Sequence, residues 1–233
     1  TEVKVPRNKL HSQDRHPVFF IKETDFGLSI GARRHAGEKN YYWRITQFLL
    51  PFYTMIPPVG EFEHSGDQPY NGHAWVPIDN YNTWTWSFGA HPHNNYEKST
   101  YDFLSGKNGM WGPITADYLP VQNIGNDYLI NRQVQKTENF TGIEGIPNQD
   151  AAVQESMGGI VDRSKEHLGT SDTAVIAFRK LLLKLVKEYE VGKTPSAAFN
   201  GECYNVRSAS LLLEREIDWQ QGAAHLISGN SLL

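Results

Sequence analysis

The chain is nearly free of cysteine: Cys203 is the single thiol in 233 residues. One thiol excludes an intramolecular disulfide framework and fits a reducing compartment, so the cytoplasm is the expected location. Long apolar runs are missing too. Nothing approaches the roughly 18 residues that a membrane span requires, and the first ten residues, TEVKVPRNKL, lack the apolar centre of a secretory signal. A soluble chain with no membrane partner is expected. No block of Lys or Arg exceeds a pair and the formal charge is -4, which argues against nucleic acid as a partner. The G-x-S-x-G elbow, the P-loop and the G-x-G-x-x-G fingerprint are absent, as are internal repeats and low-complexity segments.

Aromatic residues are what the chain has in quantity, with six Trp, eleven Tyr and eleven Phe. That much ring surface permits a lined apolar cavity, although most of it is read as ordinary core packing. With 39% hydrophobic residues the chain can bury one large core.

From Pro17 to Gly89 the pattern is that of strands. VFFIKE, FGLSIGARR, NYYWRITQFLL and FYTMIP are rich in β-branched and aromatic residues, and Asp25, Gly37, Asn40 and Pro57-Pro58 punctuate them. Arg44, Thr46 and Gln47 interrupt the apolar positions of YYWRITQFLL, as in a strand with one wetter face. YNGHAWVPI and NTWTWSFGA flank the turn-like DNYN and are expected to form a hairpin. Together these segments predict an antiparallel sheet.

Helix dominates afterwards. Residues 94–105 are expected to hold a short helix, and residues 106–128 a long irregular connection broken by Gly and Pro. The strongest helix is SDTAVIAFRKLLLKLVKEYEVG. Ser171 or Asp172 caps it, Val175, Phe178, Leu182, Leu185 and Tyr189 form its apolar stripe, and Gly192 ends it. The tail carries SASLLLEREIDWQQGAAHLI, read as one amphipathic segment. Strands followed by helices make the fold class α+β.

The chemistry concentrates at NQDAAVQESMG. If this stretch opens a helix, Asp150, Val153, Gln154 and Met157 share one face, and a carboxylate beside Val and Met needs a cation or donors to stay ionised. Helix capping is the competing reading, with Asn148 as N-cap and Asp150 in the first turn, where the macrodipole favours an acid by about 0.3–1 kcal/mol. Spacing alone leaves both open. The HPH of residues 91–93 and His73 are read as polar loop and strand residues that could also face a metal or a cavity, and Cys203 as structural.

NFTGIEGIPNQDAAVQESMGGIVDRSKEHLGTSD, together with TDFGLSIGARR, YYWRITQFLLPFYTMIP and GNDYLINRQVQK, closely resembles the C-terminal catalytic domain of Rieske non-haem iron ring-hydroxylating oxygenases. The nearest branch is the phthalate and phenoxybenzoate dioxygenase group of α subunits, and the likeness runs from about Leu10 to at least Lys187. The resemblance implies a helix-grip fold, an antiparallel sheet wrapped around a long helix. It implies that residues 1–192 form a mononuclear-iron catalytic domain and that 193–233 are a C-terminal extension, packed on that domain or on a neighbouring subunit.

In that family two His and one carboxylate hold the iron, and Asp150 matches the carboxylate. Val153, Gln154 and Met157 would line the substrate pocket, while Asp162, Arg163, Glu166 and His167 would form a structural turn. LHSQD matches the second His of the family motif at His11, but Pro6 stands where the first belongs. His16, five residues after His11, is the alternative, although five residues turn roughly 140 degrees on a helix and Pro17 biases His16 away from helical backbone. A Rieske 2Fe-2S cluster needs two Cys and two His, more Cys than this chain has, so the cluster is expected in an N-terminal domain absent here.

The implied function is O2 activation at Fe(II) and hydroxylation of an aromatic compound, an aromatic acid or aryl ether. Electrons would come from NAD(P)H through a reductase or ferredoxin, and the assembly would be a homotrimer. The chain alone is expected to be inactive. The rival reading is a non-catalytic pocket of the same shape that binds an apolar small molecule and has lost its metal; a third is an assembly subunit.

Overall fold

The structure is a computed structural model and describes residues 10, 12, 14–58, 68–91, 98 and 112–229. The chain divides into two units, one comprising Thr1–Pro77, Thr83–Asn94 and His167–Leu233, the other Ile78–Asn82 and Asn95–Glu166.

The first unit is built on seven antiparallel strands: β1 (Val18–Thr24), β2 (Gly27–Ala36), β3 (Asn40–Leu49), β4 (Tyr53–Met55), β5 (Tyr70–Pro77), β6 (Thr83–Ala90) and β7 (Ala209–Glu214). The first six lie side by side in chain order. Short turns explain the β1–β2, β2–β3 and β3–β4 pairings, because a strand that reverses in two or three residues pairs with its predecessor. Between β1 and β2, Gly27 has φ of +139°, and a Cβ there would run into the Phe48 carbonyl, so only glycine fits. Strand β3 is long enough to take two partners on one edge. Its Gln47–Leu49 end pairs with β4, and residues 40–45 pair with β7, which returns from the far end of the chain.

Period-two alternation gives each face of the sheet its own core. On one face Trp43 and Ile45 of β3 meet Ala209, Leu211 and Leu213 of β7, covered by Trp219, Ala223 and Leu226 of a C-terminal helix. Trp43 and Trp219 stack with ring centroids 5.6 Å apart. On the other face Leu28 and Phe48 meet Phe178, Leu181, Leu182 and Leu185 of the long helix Thr173–Glu190.

The expectation of a wetter face on β3 holds in part: Arg44 and Thr46 share one face and are half-buried, while Gln47 lies on the other. Gln47 is buried and its Nε2 donates to the Arg207 carbonyl at 3.0 Å, while Arg44 Nη2 donates to the Pro57 carbonyl at 2.9 Å. Polar side chains occur in a covered strand because each finds a carbonyl there.

The helices are numbered α1 (Arg132–Thr137), α2 (Ile146–Ser156), α3 (Thr173–Glu190) and α4 (Trp219–Ile227). Helix α3 forms where its periodicity predicts it and ends at Val191, with Gly192 left-handed beyond. Its start differs. A 3₁₀ turn, Thr170–Asp172, leads into it, and Asp172 accepts from the Gly169 amide at 2.8 Å instead of capping α3. Val175 and Tyr189, expected on the apolar stripe, are exposed, because Ala177 and Leu181 take the sheet-facing positions.

The tail read as one amphipathic segment is two elements. Residues 209–214 pair as β7, and Asp218 Oδ1 then caps α4 by accepting from the Gln220 and Gln221 amides at 3.0 and 3.1 Å. The alternation of Ala209, Leu211 and Leu213 is a strand signal that LLL obscures. Most of the short helix expected over 94–105 lies outside the described residues. No helix among the described residues is long and apolar enough to cross a membrane.

Candidate functional site

Asp150 is carried by α2, in the second unit. The helix opens at Ile146 behind Gly145, with Pro147 in its first turn, so Asp150 is its fifth residue and no acid lies in the first turn. The capping reading therefore fails on both counts. Gly145 is the N-cap, and Asn148 is buried inside the helix, where its Nδ2 donates to the Glu144 carbonyl at 3.0 Å and, by a short bond, to Gln122 Oε1.

At about 100 degrees per residue the helix has two distinct faces. Asn148, Ala152 and Glu155 lie on one, and Asn148 and Ala152 are buried there. Asp150, Val153, Gln154 and Met157 lie on the other, as the spacing predicts, and all four are exposed.

What holds the packed face is a loop of unusual backbone. The 3₁₀ segment Ile124–Leu129 contains Asp127, Tyr128 and Leu129 in succession at φ of 51°, 53° and 52°. Left-handed backbone costs a residue with a Cβ roughly 1–2 kcal/mol, so three together need compensation. Asparagines supply it. Asn123 Oδ1 accepts from the Gly125 amide at 2.9 Å, Asn126 Oδ1 accepts from the Asn123 amide at 3.0 Å, and Asn126 Nδ2 donates to the Val121 carbonyl at 2.7 Å. The Tyr128 amide itself donates to the Asn123 carbonyl at 2.9 Å.

The result drives Tyr128 inward while Leu129 stays exposed. Tyr128 packs with Ile143, Ala152 and Ile130, and its hydroxyl donates a short hydrogen bond to Glu155 at the last turn of α2. Burial, then the bonded Glu155 carboxylate, push the Tyr128 hydroxyl up to about 12, so it remains a donor across the ordinary pH range. Sequence reasoning passed over Gln122, Tyr128 and Glu155; the signal was present in VQNIGNDY, where asparagines crowd a segment with neither strand nor helix period.

The turn after α2, which the resemblance implies to be structural, is bonded within itself. Asp162 caps the Arg163–Lys165 turn by accepting from the Ser164 amide at 3.1 Å, and Arg163 pairs with Glu166 at 2.8 Å.

In the first unit, His11 lies outside the described residues, as do Pro6 and His93. Leu10 and Ser12 have helical backbone, and the chain leaves the helix before Asp14. His16 therefore sits in an exposed segment without regular secondary structure ahead of β1, where its amide donates to Asp14 Oδ1 at 3.0 Å. The other Asp14 oxygen accepts from the His35 amide at 2.9 Å, and these two amides hold the carboxyl below the usual carboxylate range. Arg34 Nε donates to the Asp14 carbonyl at 3.1 Å. Burial, then the nearby Arg44 charge, lower the Arg34 guanidinium, and its Nη1 is buried without a partner among the described residues.

His73 Nδ1 lies 2.7 Å from Ser87 Oγ on the neighbouring strand, a cross-strand pair that a strand histidine commonly makes. Burial raises the Cys203 thiol. No group of three or more His, Cys, Asp and Glu with metal-holding geometry occurs among the described residues. Of the three residues named as candidate ligands, Asp150 and His16 lie among the described residues, and both are exposed.

The family model described as "LigXa C-terminal domain like" matches residues 7–231, and the chain belongs to that family. The phthalate 4,5-dioxygenase oxygenase subunit of Pseudomonas putida is 32% identical over 225 residues, covering 93% of this chain and 48% of that protein. The 3-chlorobenzoate-3,4-dioxygenase oxygenase subunit of Comamonas testosteroni is 29% identical over 238 residues, covering 91% of this chain and 51% of that protein. The chain thus spans about half the length of these relatives. The motif-based resemblance to Rieske oxygenase catalytic domains is borne out.

Proposed function

We propose that this chain is the catalytic domain of a ring-hydroxylating oxygenase, and that Asp150 supplies the carboxylate ligand of a mononuclear Fe(II). The single observation that carries the reading is the placement of Asp150 on the exposed face of α2, within the NQDAAVQES stretch that carries the resemblance and with no capping role to occupy it. The proposed partners of Asp150 are His11 and, in the position left open by Pro6, His16. Two His and a carboxylate leave coordination positions free, and Fe(II) held so supplies O2 activation when bound.

The chain's own residues bind and orient the ring. Val153, Gln154 and Met157, on the Asp150 face of α2, offer two apolar contacts and one amide to a substrate near the metal. An aromatic acid is preferred over an aryl ether. Both relatives are named for aromatic carboxylates. The helix-grip arrangement belongs to the same reading, with α3 as the gripped helix on the Leu28 and Phe48 face.

The same reading places a 2Fe-2S Rieske cluster outside this chain, fed from NAD(P)H by a reductase or ferredoxin, in a homotrimer. The test is iron content of the full-length protein after anaerobic Fe(II) reconstitution. About three irons per chain are expected, two in the cluster and one mononuclear, falling to about two in Asp150→Ala with turnover abolished. Three irons and normal turnover in the variant would refute the assignment of Asp150, whereas two irons and no turnover in the unsubstituted protein would leave a metal-free aromatic pocket as the function to pursue.

A further inference from the structure

We propose that Gln122, Tyr128, Asn148 and Glu155 are positioning residues that hold α2 at both ends and so pre-set the direction in which Asp150 points; the inference rests on the iron reading of Asp150. The four form one network across the packed face of the helix. Near the N-terminus, Asn148 donates to Gln122 Oε1, and Gln122 Nε2 donates to the Tyr128 carbonyl at 3.2 Å. At the C-terminal turn the Tyr128 hydroxyl donates to Glu155. Tyr128 therefore serves both ends, by its backbone at one and by its side chain at the other.

Asp150 lies between the two attachments on the opposite face. A helix fixed at one end can roll or fray, and with a single attachment the carboxylate would sweep with it; two attachments about one and a half to two turns apart remove that freedom. Side-chain packing does little here by itself, since Ala152 is the small apolar contact that α2 makes with Tyr128 and Ile143. The strained run Asp127–Leu129 fits the same purpose. Left-handed backbone at three side-chain-bearing residues persists where its neighbours over-determine it, and here it delivers an aromatic side chain whose hydroxyl reaches Glu155. Pre-orientation of a ligand by groups that do not touch the metal is the general means by which metal affinity is set before the metal arrives.

The experiment uses the full-length protein and four readouts that a merely folded domain would not share: Fe(II) affinity, the EPR spectrum of the Fe(II)–nitric oxide adduct, hydrogen exchange of residues 146–157 in the iron-free protein, and rescue by a conservative variant. Tyr128→Phe keeps the ring and its burial and removes only the hydroxyl. It is expected to weaken Fe(II) binding about tenfold, to alter the nitrosyl spectrum and to speed exchange across α2. Glu155→Gln, which still offers the hydroxyl an acceptor, is expected to stay close to wild type, and Gln122→Leu to follow Tyr128→Phe. If Asp150→Ala loses iron while Tyr128→Phe binds it with wild-type affinity and an unchanged spectrum, this inference is overturned and the iron reading stands. If Asp150→Ala retains iron, the iron reading falls and the positioning role falls with it.

Discussion

Trp219→Ala tests whether the C-terminal residues are structural to the sheet. Trp219 is 6% exposed and lies on Trp43, with Gly31 beneath. A buried tryptophan removes roughly 150–250 Å² from water, which at about 25 cal/mol per Å² is roughly 4–6 kcal/mol of burial. Truncations of buried tryptophan cost about 3–5 kcal/mol once neighbours relax. Relaxation is limited here: Trp43 and Leu211 are held by the β3–β7 pairing, and Asp218 fixes the start of α4. The expected loss is therefore about 3–5 kcal/mol, or roughly 10 °C in melting temperature for a chain of this size. Urea unfolding followed by far-UV circular dichroism measures it, with Trp219→Phe expected to recover about half. A loss below about 1 kcal/mol would mean that α4 does not cover the sheet, and the account of this core would be wrong.

Asp14 makes stability acid-sensitive. Its carboxyl is held below the ordinary value by the His35 and His16 amides, so the stabilisation is present above the unfolded-state value of 3.8 and is lost as pH falls through the lower folded-state value. Asp14→Asn is expected to flatten the stability profile below about pH 4 in urea titrations; an unchanged acid limb would contradict the assignment.

How much of this was legible beforehand varied with the range of the interaction responsible. The first six strands, the DNYN turn and helix α3 follow from alternation, turn chemistry and a 3.6-residue period, which are local and need no partner to be seen. The place of Asp150, Val153, Gln154 and Met157 on one helix face follows from the same period. Strand β7 was missed because its partner, residues 40–45 of β3, lies about 170 residues earlier in the chain, and nothing local distinguishes SLLLE as a strand from a helical start. The capping reading of Asn148 fails for a related reason: the helix begins two residues earlier, and inside it the Asn148 side chain donates to the half-buried Gln122.

The sequence by itself determined the family, the sheet with its following helices, and the face of α2 on which the aspartate stands, since each depends on residue type and spacing along the chain. Only the tertiary structure decided that both faces of β3 are covered, that residues 209–227 complete one core, and that Tyr128 reaches Glu155 from a left-handed turn. Each of these joins residues whose meeting is chosen by burial and hydrogen-bond satisfaction across the folded chain, and such choices leave no period in the sequence to read.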